Sequence, residues 1–112
     1  MQKNDSQLLS AESEFQSIAD GLADREVTQG AMFGKKGLMV KRKAFLCLFG
    51  SSLVFKLNPE DRHEALTAPG AENWDPSGKH RPMKEWIVLP EGNEALWQSM
   101  AGKALKFVSE NN

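Results

Sequence analysis

Thiols and imidazoles are scarce in this chain, which has one cysteine, Cys47, and two histidines, His63 and His80. A lone thiol between Leu46 and Leu48 forms no internal disulfide and suits a reducing compartment. One cysteine and two separated histidines also fall short of a zinc site with its usual three or four ligands. Apolar runs are short, and none approaches the roughly 18 residues that a membrane span needs. Neither sign of charge dominates: the net charge is −1, so the whole molecule has no bulk attraction for nucleic acid or an anionic membrane. Phosphate-cradling glycine loops are missing too. Gly30, Gly34 and Gly37 fit neither a Walker loop nor a dinucleotide fingerprint, and turns or a β-bulge account for them. The first residues lead into a polar helix and not an apolar leader core, so no signal peptide is expected. The expectation is a soluble cytoplasmic protein without cofactor or metal.

What is present suits one globular domain. The chain has 112 residues, 40% of them hydrophobic and 26% charged. That length buries a core without disulfides or metal. Leu8, Ala11, Phe15, Ile18, Ala19 and Leu22 recur at helical spacing, with Asp5 or Ser6 as cap. A meander follows: Val27 to Phe33, Leu38-Met39-Val40, Ala44 to Phe49, and Leu53 to Leu57. Its turns fall at Gly34-Lys35-Lys36-Gly37, Lys41-Arg42-Lys43 and Gly50-Ser51-Ser52. Connections this short imply antiparallel neighbours. The third strand is apolar throughout, which predicts a central position covered on both faces.

Asn58-Pro59-Glu60-Asp61 then starts a short helix, with Asn58 as cap and Pro59 at the first helical position. Ala68-Pro69-Gly70 ends it. Ala71 to His80 reads as a loop anchored by Trp74. Arg81 to Pro90 reads as a strand with proline at each end and Trp86, Ile87 and Val88 between. A last helix carries Trp97, Met100, Ala101, Ala104, Phe107 and Val108 on one face. The order is helix, four strands, helix, strand, helix. It predicts a two-layer α+β domain with an antiparallel sheet of about five strands. The two long helices should cover one face and leave the other to solvent or a partner.

Two segments carry a family likeness. One is Met32-Phe33-Gly34, Gly37 to Val40 and Leu53 to Leu57. The other is Trp74-Asp75-Pro76 with Gly78, Arg81 to Trp86, and Trp97 with Ala104-Leu105. Together, over roughly Val27 to Val108, they resemble the TfoX N-terminal domain family, named from bacterial competence regulators, and most of all its short, single-domain members. The resemblance implies a secretion-chaperone-like α+β fold over the whole chain, a binding or regulatory role, and no catalytic residues. Lys35-Lys36 stand where many relatives carry a glycine or a tyrosine, and the chain has no tyrosine. The longer regulators add a C-terminal helical domain, so a role that needs that half does not carry over.

The chemistry on offer is modest. From Val27 to Leu57 the charged residues are Lys35, Lys36, Lys41, Arg42, Lys43 and Lys56, all basic, and both flanking segments are net acidic. Such a patch can contact phosphates or an acidic partner. It can equally decorate turns and guard strand edges, and consecutive meander turns would split it between opposite ends. Lys79-His80-Arg81 is a second cationic stretch, able to hold an anion beside Lys35-Lys36 if the two meet. His80 makes a poor general base beside Arg81, which lowers its pKa. His63 with Glu60 is at best a weak metal pair. Phe45 and Phe49, expected on one face of the third strand, are candidates for an aromatic platform or for the core.

The function expected is therefore non-enzymatic binding, to a protein partner or a second copy, through the uncovered sheet face. A nucleic-acid-associated regulator using residues 35–56, and a small-anion or metabolite binder at the Arg81 loop, are the alternatives.

Overall fold

A computed structural model describes residues 3–32, 35–75 and 83–110. Among these residues, three α-helices pack on an open antiparallel sheet of six strands, in the spatial order β1-β2-β3-β4-β6-β5. The elements are α1 (Lys3–Gly21), β1 (Val27–Met32), β2 (Lys35–Val40), β3 (Lys43–Phe49), β4 (Ser52–Lys56), α2 (Pro59–Ala65), β5 (Glu72–Trp74), β6 (Met83–Leu89) and α3 (Glu94–Glu110).

The α+β class, the antiparallel pairing and the place of the Trp86 strand in the same sheet agree with expectation. The apolar third strand is internal, flanked by β2 and β4. Other details differ. Helix α1 begins at Lys3, ahead of the expected caps Asp5 and Ser6. Lys35 and Lys36 belong to β2 and not to a turn, because the ladder with β1 continues to the Met32–Lys35 pair. Within the expected loop 71–80 lies a sixth strand, β5, which pairs with β6 through a register shift. Helix α2 ends at Ala65, before the Pro69-Gly70 stop.

Strand alternation divides the side chains between two clusters. Leu38, Val40, Leu46, Leu48, Leu53, Phe55, Ile87 and Leu89 meet the helices. There they pack with Phe15 and Ile18 of α1, Ala65 of α2, and Trp97, Met100, Ala104 and Val108 of α3. Among the described residues, the far side holds Cys47, Val54, Trp74, Trp86 and Val88, with Ala44 and Met83 beside them, all from strands. Trp86 is thus core, as expected, but in the smaller cluster.

One bulge governs this division. Leu38 pairs with Leu46 and Met39 with Ala44, so Phe45 has no partner on β2. The extra residue lets Phe45 and Leu46, consecutive in the chain, both pack into the helix-side core. The expectation that Phe45 and Phe49 share a face is corrected. Phe45 is buried, whereas Phe49 is 37% exposed and stacks against Trp74 on the far side.

The helix ends are tied down locally. Asn58 Oδ1 accepts from the amide of Asp61 at 2.8 Å, the cap read from the sequence. Before α3, Asn93 Nδ2 donates to the carbonyls of Pro69 and Pro90 at 3.2 and 3.0 Å. Trp97 Nε1 donates to the Leu89 carbonyl at 2.9 Å, which fixes the first turn of α3 to the end of β6.

Candidate functional site

The basic residues of the meander do not form one patch. Lys35 and Lys36 are neighbours in a strand, so their side chains leave opposite faces. Lys35 Nζ lies 5.2 Å from the centroid of the Phe49 ring, on the face away from the helices. Lys36 lines a shallow hollow with Glu12, Gln16 and Leu48 on the helix side. Lys41 and Arg42 occupy the β2–β3 turn at the other end of the hairpin, with φ of 52° and 68°. Two left-handed residues in succession make the tight turn that matches strand twist. Lys41 Nζ reaches the Ser109 carbonyl at 3.4 Å, a cation at the negative end of α3. Lys43 opens β3 and is exposed. His80 and Arg81, and with them the expected anion loop, lie outside the described residues.

Two described groups with catalytic potential, Cys47 and His63, are respectively insulated and unaccompanied. Burial pushes the Cys47 thiol up to about 11, and the charge of Lys35 offsets only part of that. It is fully buried beneath the aromatic cluster. His63 is exposed on α2, and among the described residues no group of three His, Cys, Asp or Glu side chains is placed to hold a metal ion.

A groove of about 570 Å³ lies between α2 and α3, lined by Asn58, Asp61, Lys103, Lys106, Phe107 and Glu110. Its lining carries two acids and two bases, and Lys103 is paired. Lys103 Nζ sits 2.9 Å from Glu64 Oε1 and 3.8 Å from Asp61 Oδ1. The hydrogen bond that Lys103 donates to Glu64 raises its pKa, opposed by desolvation and helped by the charges of Glu64 and Asp61. A neutralised groove of this kind orients no base and leaves no net field for a charged ligand.

The remaining feature is the sheet face turned from the helices. Across its β3–β4–β6 part, Trp74 closes over the strands, with ring centroids 5.7 Å from Phe49 and 5.8 Å from Trp86. Toward β1 the cover gives out. Gly30 pairs with Gly37, which in turn pairs with Cys47, so a row without side chains crosses two strands. The Met39 side chain leans over it: a Cβ on Gly30 would stand 2.6 Å from Met39 Sδ. Met39 and Phe49, both partly accessible, thus stand on this face, with Lys35 beside Phe49. Methionine on such a surface adapts to varied apolar partners.

Sequence reasoning anticipated an uncovered face but missed Met39 and the glycine row as its floor. The signal was present in the spacing of Gly30 and Gly37, which only the β1–β2 register makes opposite. No protein-family model matches the chain, and no curated protein or solved structure matches it.

Proposed function

We propose that this chain is a non-enzymatic binding domain that engages a protein partner through the sheet face away from its helices. This is the role implied by its resemblance to the TfoX N-terminal domain family. The observation that carries the reading is the unequal cover of the two faces. All three helices contribute to the cluster on one side, and among the described residues the cluster on the other is built from strands. Phe49, Met39 and Lys35 offer apolar contact with one cation at its edge. Partner surfaces enriched in aromatic and methionine side chains are of this kind.

The dispersal of the basic residues favours this reading over a nucleic-acid regulator, which would want them on one surface interleaved with exposed aromatics. Affinity capture from the native cell with wild-type and Met39→Gln/Phe49→Ser baits tests the proposal. A defined protein retained by the wild type and lost with the variant is the expected result. Equal retention by both baits overturns it. Changing Lys35, Lys36, Lys41, Arg42 and Lys43 to Gln should leave DNA retention at low salt unchanged. Micromolar binding by the wild type that falls steeply with salt and vanishes in that variant would establish the nucleic-acid reading instead.

A further inference from the structure

We infer that two copies of this chain associate through their β1 strands, antiparallel about a two-fold axis, to form one continuous sheet with every helix on the same side. The inference rests on the reading of the chain as a protein-contact module but uses the sheet edge, not its face.

An edge strand offers a row of unpaired N–H and C=O groups, and folded proteins blunt it with charge, proline, a bulge or brevity. The β5 edge is blunted: it has three residues, an acid at Glu72 and a register shift against β6. The β1 edge has none of these devices. Its six residues, Val-Thr-Gln-Gly-Ala-Met, include no charge and no proline, and they pair with β2 in unbroken register. Thr28, Gln29 and Ala31 are exposed.

A second copy fits this edge on grounds of charge and symmetry. On a two-fold axis each residue meets itself or a near neighbour, so a charged strand would repel its own copy. An uncharged one does not. Directly opposed residues of an antiparallel pair share a face, which places the axis on a residue and not between two. The longest overlaps then set Gln29 against Gln29 or Gly30 against Gly30.

Charges flank the strand without interrupting it. Asp24 and Glu26 precede β1, and Lys35 and Lys36 open the strand that follows it. Antiparallel pairing lays the acidic start of one copy beside the basic end of the other, twice. The cations near the acidic start are directed elsewhere. Arg25 lines a hollow against Ser109 and Glu110, Lys41 reaches the Ser109 carbonyl, and Arg42 sits in the turn one strand further in.

Sedimentation velocity over a wide concentration range tests this on the full chain. The wild type should show a monomer–dimer equilibrium. Gln29→Lys/Ala31→Lys puts like charges opposite each other in either register. That double variant should weaken the dimer by at least about tenfold. Glu26→Lys and Lys36→Glu should each weaken it about three- to tenfold, through two symmetry-related contacts, and the combined swap should restore it. All four positions are exposed, so circular dichroism and melting of the monomers should match the wild type. A wild type that stays monomeric at every concentration overturns the inference. So does a dimer indifferent to the edge lysines, or weakening that the charge swap fails to restore. Met39→Gln/Phe49→Ser leaves the edge intact, so the edge and the face are judged separately.

Discussion

The Trp97 indole spans the join between helix and sheet, its Nε1 donating to the Leu89 carbonyl at 2.9 Å while its rings lie fully buried in the helix-side core. Trp97→Phe keeps most of the apolar bulk but removes the donor and leaves a buried acceptor and a small void. It should cost about 2–4 kcal/mol in urea unfolding. A loss under about 1 kcal/mol would mean that water or a shifted backbone satisfies Leu89.

Trp74 and Trp86 meet edge to face at 5.8 Å and are buried together on the far side of the sheet. Trp86→Ala should cost about 3–5 kcal/mol. Because the two rings share one small cluster, the double variant should cost less than the sum of the singles, with a coupling near 1 kcal/mol. Additive losses would show that each ring is held by other neighbours.

Gly70 has φ of 77°, and a Cβ there would stand 2.9 Å from Pro90 Cγ. Gly50 has φ of 60° with nothing within 4 Å of its own hypothetical Cβ. Alanine at position 50 should cost about 1 kcal/mol, the left-handed penalty alone. Alanine at position 70 should cost about 1–2 kcal/mol more, because Pro90 is a stiff ring that also borders α3's entry. Equal melting-temperature shifts for the two variants would show that Pro90 yields freely.

Burial raises the Cys47 thiol from 9.0 to about 11. Below pH 9 the folded and unfolded chains both hold the thiol proton, and stability is insensitive to this group. Between about pH 9 and 11 the unfolded chain releases it first, so stability falls as pH rises. The difference in unfolding free energy between wild type and Cys47→Ala should therefore shrink across that window by about 2–3 kcal/mol at most. A difference that stays flat to pH 11 would place the thiolate in a better-solvated setting than its full burial implies.

Long, strongly patterned elements are legible in the chain. Asn58-Pro59 announces α2, the tryptophan and methionine stripe announces α3, and the apolar run at Ala44–Phe49 announces an internal strand. Strand β5 is not legible, because Glu72-Asn73-Trp74 has no alternation of its own and forms only where β6 offers an edge. The face of Phe45 is hidden for a different reason. Period-two reasoning assumes an unbroken ladder, and a single unmatched residue reverses every side-chain direction beyond it. Lys35 and Lys36 look like a pair in the sequence, yet a strand sends such neighbours apart. The far sheet face depends on both effects, so the chain contains Met39, Phe49 and Lys35 without showing that they share it.

The strand order also bears on how the chain folds. Neighbours β1 to β4 follow one another in sequence, whereas β4 joins β6 only after α2 and β5 have intervened. Hairpins close quickly, and pairings between distant segments wait on the entropy of a larger loop. The sheet is thus two local units, the meander over residues 27–56 and the β5–β6 ribbon, docked along a single seam. In hydrogen exchange, the seam amides of Phe55, Leu57, Ile87 and Leu89 would open as a unit when the ribbon lifts away, with the meander still formed. That opening would bring Cys47 and Val54 to solvent before global unfolding, making the buried thiol a timer for ribbon undocking.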